Sequence, residues 1–137
     1  MSGSFDFNDE LLHDLLARTS RTFGLAIPLL PFPAQRDVTI AYLLFRIADT
    51  IEDGQFLTAE ERLAAFDKFS ALLESASASD DQELALQAEL VDQQPCENED
   101  YLHLLANLHL VVQSARHLDE VARAVVFDAL RKSVAGM

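Results

Sequence analysis

A chain of 137 residues, half of them hydrophobic, with a net charge of −13, has room for one compact domain or part of one, not for two ordinary cores. The acidic balance excludes a broad nucleic-acid surface, because phosphate backbones need basic patches, while a local basic site for a small phosphorylated ligand stays open. The single cysteine, Cys96, forms no internal disulfide and has no CxxC or Cys/His partner at zinc spacing.

The opening MSGSFDFNDE is polar and acidic and does not resemble a signal peptide, so a soluble, cytoplasmic chain is expected. Helical spacing then recurs throughout, with no strand-like alternation and no internal repeat. Asn8 caps a first helix with Asp9 and Glu10 in its first turn and Leu11, Leu12, Leu15 and Leu16 as its stripe. That helix is expected to stop near Gly24, ahead of Pro28, Pro31 and Pro33. Pro33 starts a second helix, which runs to about Asp53 and ends at Gly54. Arg46 and the acids interrupt its apolar run, and Arg36 and Asp37 flank it, so it is not a membrane span.

Thr58 and Glu61 form a capping box for a third helix carrying Leu63, Phe66, Phe69 and Leu73. SASASDDQ, residues 75–82, is read as a linker before a short helix, ELALQAELV. DQQPCENED then breaks the chain again. A fifth helix carries Leu104, Leu105, Leu108 and Val112. Asp119 caps a sixth with Val121, Val125, Ala129 and Leu130, halting at RKSVAGM as if cut. The predicted fold class is all-α.

The second helix carries the chemistry. At ~100° per residue, Tyr42, Arg46 and Asp53 fall within roughly 60° of Asp49 on one side and Glu52 within about 60° on the other. Ile40, Leu44, Ile47 and Ile51 occupy the opposite face. So narrow a polar stripe on an apolar helix is expected where a buried helix lines a polar cavity. The plain reading makes Asp49, Glu52 and Asp53 solvated acids, with Arg46 as an i,i+3 partner of Asp49. Against it stands their position at the carbonyl end of the helix, where the dipole disfavours negative charge and a divalent cation would repair the electrostatics. Asp49 and Asp53 also share a face, as hard-oxygen ligands for magnesium do.

TSRTFG, residues 19–24, is the second candidate. Read alone, Arg18 and Arg21 complement a helix C-terminus and Gly24 stops the helix. Beside the second helix, Ser20 and Arg21 are placed to face the acid-lined cavity and contact a diphosphate. His13, His103, His109 and His117 lack a ligand spacing and read as core or surface residues.

Taken together, SRTFGLAIPLLPFPAQRDVTIAYLLFRIADTIED resembles the start of the squalene and phytoene synthase family, head-to-head prenyl synthases of the all-α isoprenoid-synthase fold. The matching elements are Ser20 to Phe23, Leu30-Pro31, Arg36, and then Tyr42, Arg46, Asp49 and Asp53. The final helix, closing in Gly-Met, also looks like the family's. The resemblance implies the N-terminal half of an isoprenoid-synthase-type helical bundle. It implies Asp49 and Asp53, with Glu52 assisting, as ligands for Mg²⁺ holding a prenyl diphosphate. Ser20, Arg21 and Arg46 would contact the diphosphate, and Tyr42 and Phe23 would line the prenyl pocket. Two prenyl diphosphates, farnesyl diphosphate in this reading, would condense through a cyclopropyl intermediate, with NADPH needed if the product is squalene. A lipophilic product implies peripheral membrane contact.

The family's second aspartate-rich motif has no counterpart here: DDQE (80–83) is read as linker and ENED (97–100) as loop. The chain is therefore expected to be an N-terminal portion, inactive alone and self-associating through uncovered apolar faces. The alternative is a non-catalytic prenyl-diphosphate-binding or helical interaction module acting as a dimer.

Overall fold

The computed structural model describes residues 7–31, 34–74 and 80–118, with isolated positions between 121 and 132. Among these residues there are seven α-helices and no strand: α1 (Phe7–Thr19), α2 (Arg21–Ala26), α3 (Ala34–Glu52), α4 (Ala59–Glu74), α5 (Asp80–Gln93), α6 (Glu99–Leu105) and α7 (Leu108–Arg116). A 3-10 turn, Ile27–Leu29, follows α2. The all-α expectation holds.

The apolar face of α3 is the centre of the core. Ile40, Leu43, Leu44, Ile47, Ala48 and Ile51 are all fully buried, and α1, α4, α6 and α7 pack around them. Each of these leucines and isoleucines contributes about 1.5–3 kcal/mol on transfer from water, so burial rather than helix propensity fixes α3 in place. With one face committed to the core, the stripe carrying Tyr42, Arg46 and Asp49 is left at the boundary, half-buried.

Several expectations are corrected. The first helix does not run to Gly24. It ends at Thr19, and Ser20, extended at φ −150 and ψ 111, caps the separate α2 by accepting the Phe23 N–H. Gly24 lies inside α2 and stops nothing. A Cβ there would sit 3.1 Å from the Ala17 Cα, so glycine eases the close approach of α2 to α1. Asn8 falls within α1 rather than before it. DDQE is the first turn of α5, not linker, because Glu83 finds partners on α7. In ENED, Asn98 caps α6 and Glu99 and Asp100 are already helical. The fifth helix is two, α6 and α7, divided at Ala106–Asn107, although Leu104, Leu105, Leu108 and Val112 are all buried as expected. On α4 the core residues are Ala65, Phe69 and Leu72, while Leu63 is 63% exposed.

The third-helix capping box forms as read: Thr58 N–H donates to Glu61 Oε1 at 2.8 Å, and Glu61 N–H donates to Thr58 Oγ1 at 3.1 Å. Helix α3 ends before Gly54, where an added Cβ would meet Leu57 Cδ1 at 3.0 Å and the Ile51 carbonyl at 3.1 Å. Pro33 and the sixth helix from Asp119, including its Gly-Met close, lie outside the described residues as elements.

Candidate functional site

The last three turns of α3 carry the predicted stripe. Tyr42 packs its ring against Phe23 of α2, with centroids 5.4 Å apart and planes at 57°. Its hydroxyl donates to the Thr19 carbonyl at 3.0 Å. One bond thus satisfies an orphan carbonyl at the end of α1 and ties α3 to the α1–α2 corner. This corner forms because Ser20 prefers to cap, and it sets the half-exposed Phe23 ring beside Tyr42. Ser20 Oγ is engaged as that cap. The Arg21 side chain lies outside the described residues.

One turn further along, Arg46 is held by an aromatic face. Its Cζ sits 4.5 Å from the centroid of the Tyr101 ring on α6, within cation–π range. Its Nε is buried and has no hydrogen-bond partner. The i,i+3 pairing with Asp49 does not form: among the described residues Arg46 makes no ion pair with any carboxylate. Asp49 is half-buried, Glu52 and Asp53 are exposed, and none of the three makes a side-chain hydrogen bond or ion pair among the described residues. The Arg46–Asp49 pairing of the plain reading is thus absent, while Glu52 and Asp53 are exposed at the helix end as that reading has them. An unquenched cation stands one to two turns from unquenched carboxylates.

Two cavities meet at Asp53. One, of about 410 Å³, is lined by Arg46, Thr50, Asp53 and Gln55 on the α3 side and by Cys96, Glu97, Asn98 and Tyr101 opposite. The other, of about 550 Å³, lies between the end of α3 and α4 and is lined by Glu52, Asp53, Arg62, Leu63, Phe66, Asp67 and Ser70. Arg62 Nη1 donates to the Gly54 carbonyl at 3.4 Å, bracing the turn that follows the acids. Burial pushes the Cys96 thiol above its ordinary range, with a backbone hydrogen bond at Asn98 and the Arg46 charge pulling the other way. This thiol is therefore a poor nucleophile.

A second polar group joins α5 to α7. Glu83 is fully buried and accepts from Arg116 Nε at 2.9 Å and from Gln113 Nε2 at 2.9 Å, with His109 Nδ1 3.0 Å away. Asp80, Glu83 and His109 are the three residues among those described whose ligand atoms all lie within 4.8 Å of one another. Gln113 also donates to Asp80 at 2.7 Å, and Arg116 Nη2 donates to the Leu72 carbonyl at 2.7 Å. A cation would have to displace these bonds, and the Arg116 charge already neutralises Glu83. The group acts as a staple across α4, α5 and α7. His109, read from sequence as core or surface, is a member of it.

Sequence spacing pointed to Tyr42, Arg46, Asp49, Glu52 and Asp53, because they recur on one helix. It missed Tyr101 and the 94–101 segment, which reach the site from another element. The one available signal is that the chain's two tyrosines are Tyr42 and Tyr101, and the latter closes a polar break, ENEDY.

The sequence model of the squalene/phytoene synthase family matches residues 16–137. The chain belongs to the squalene/phytoene synthase family. It is similar to a lycopaoctaene synthase from Botryococcus braunii, 26% identical over 125 residues that make up 91% of this chain and 25% of that protein. The chain thus spans about a quarter of the length of this curated relative. No solved structure matches it.

Proposed function

We propose that the chain forms one wall of a Mg²⁺-dependent prenyl-diphosphate site of a head-to-head prenyltransferase, with farnesyl diphosphate as the substrate. The observation that carries this reading is the coexistence of an unpaired Arg46 with unpaired Asp49, Glu52 and Asp53 at the carbonyl end of α3. Carboxylates without partners, in the field of helix carbonyls, fit a divalent cation. In this reading Asp49 and Asp53 hold Mg²⁺, with Glu52 assisting. Bound there, the metal neutralises charge on the departing diphosphate.

The chain's own residues do the rest. Arg46 binds diphosphate oxygens through its in-plane N–H groups, with Ser20 and Arg21 as further contacts. Tyr42 and Phe23 offer aromatic faces to the prenyl chain and to the allylic cation left when diphosphate departs. The apolar face of α3 keeps water from beneath the site. Condensation of two such units passes through a cyclopropyl intermediate, and NADPH enters only for a squalene-type product. The lipophilic product favours a membrane-peripheral location; no described helix is long and apolar enough to cross a membrane.

Thermal unfolding with a non-hydrolysable farnesyl thiodiphosphate, with and without Mg²⁺, tests the reading. Stabilisation should require metal and analogue together, reaching about 2.7 kcal/mol at a hundredfold excess over Kd, and should vanish in Asp49→Ala/Asp53→Ala. A shift that survives in the double variant sinks the reading, as does no shift at all. A second reading is binding without turnover. It predicts the same shift but no labelled product from farnesyl diphosphate.

A further inference from the structure

Arg46 carries a guanidinium, a planar cation with five N–H donors and no acceptor. Three carboxylates follow it within two turns, yet it pairs with none. What holds it is the Tyr101 ring, 4.5 Å from Cζ. Tyr101 stands in the first turn of α6, and that turn is fixed from two directions. Asn98 Oδ1 accepts the backbone N–H of Asp100 at 2.9 Å and of Tyr101 at 3.1 Å. Arg18 of α1 donates to the Asp100 carboxylate at 2.9 Å. The ring is thus anchored by an element other than the one that carries the cation.

The choice of an aromatic partner has a chemical consequence. A carboxylate would occupy the guanidinium's in-plane donors and cancel its charge. A ring face engages the π surface and leaves those donors available. Arg46 Nε is buried without an acceptor, so no carboxylate of the described residues holds the guanidinium by that atom. The cavity beside it, about 410 Å³, is also lined by Asp53 and Glu97, so an anion enters only against two carboxylates and needs an uncancelled cation there.

We propose that Tyr101 is a positioning residue: its ring holds the Arg46 guanidinium apart from Asp49 and Asp53 and keeps it uncancelled for the diphosphate of the substrate. This inference rests on the prenyl-diphosphate reading given above. Deleting the ring frees Arg46 to collapse onto the neighbouring acids, so cation and metal ligands quench one another.

The test compares the wild-type chain with Tyr101→Leu and Tyr101→Phe by two readouts. The first is NMR of the Arg46 Nε–H, which a ring face shifts upfield. The second is affinity for farnesyl thiodiphosphate with Mg²⁺, by calorimetry. Tyr101→Leu should abolish the upfield shift and weaken binding about five- to tenfold; Tyr101→Phe, which keeps the ring, should restore both. A merely structural loss would not be rescued in this paired way, and the amide spectrum reports whether each variant is folded. An upfield shift retained in Tyr101→Leu overturns the proposal, as does its loss with unchanged affinity. Wild-type chain that shows the upfield shift but binds no analogue overturns the diphosphate reading, and with it the role of Tyr101, while leaving the ring contact established.

Discussion

Asp49, Glu52 and Asp53 sit where a purely structural helix would carry lysine or arginine, and the last turn of α3 contains no basic residue. Their cost is calculable: a charge facing the wrong end of a helix dipole is worth about 0.3–1 kcal/mol. Asp53→Asn should therefore raise stability by a few tenths of a kcal/mol in urea unfolding without metal, while removing the Mg²⁺-dependent response to the diphosphate analogue. Stability and binding moving in opposite directions is the signature of a residue kept for function. Lower stability in the asparagine variant would mean that Asp53 has a structural partner.

At the scale of elements, two joints position the site. The α1–α2 corner depends on the Ser20 cap and on the close approach at Gly24. Ser20→Ala should cost about 1 kcal/mol. Gly24→Ala should cost less than about 2 kcal/mol, because the backbone atom in the way must give by a few tenths of an ångström while alanine gains about 1 kcal/mol of helix propensity. Both should disturb Phe23 against Tyr42, which tyrosine fluorescence reports. The α5–α7 joint depends on Glu83. Removing it takes the Glu83 carboxylate from Arg116, whose side chain is only 13% exposed, so Glu83→Ala should cost about 3–5 kcal/mol. The exposed Lys68–Glu89 pair joins α4 to α5 at 2.6 Å, yet Lys68→Ala should cost less than about 1 kcal/mol. Equal losses in chemical denaturation would contradict this division between buried and surface pairs.

For the molecule as a whole, the balance of apolar surface is the telling quantity. Phe23, Leu25, Leu29 and Leu30 are exposed along α2 and the turn after it, Leu25 by 74% and Leu29 by 85%. Apolar side chains exposed this close together in the chain promote association. Light scattering should show self-association that weakens in Leu25→Glu/Leu29→Glu; a monodisperse wild-type monomer would count against it. The net charge of −13 opposes close contact, so association should strengthen with added salt as repulsion is screened.

The sequence by itself determined the all-α class, the α3 stripe and the Thr58–Glu61 capping box. These rest on local rules: 3.6-residue periodicity and caps that read their own helix. It also placed Tyr42, Arg46, Asp49 and Asp53 on one face, because they share one element. What only the tertiary structure decided are the relations between elements. Ser20 was legible as polar but not as the cap of a new helix, since Tyr42 on α3 is what satisfies the carbonyl left at the break. DDQE looked like linker because the partners of Glu83 are 26 to 33 residues away on α7. The plain reading paired Arg46 with Asp49, whereas the ring it meets, Tyr101, is 55 positions distant. Periodicity sees neighbours along a helix; a cation held by a ring on another helix exists only once the core has brought the two together.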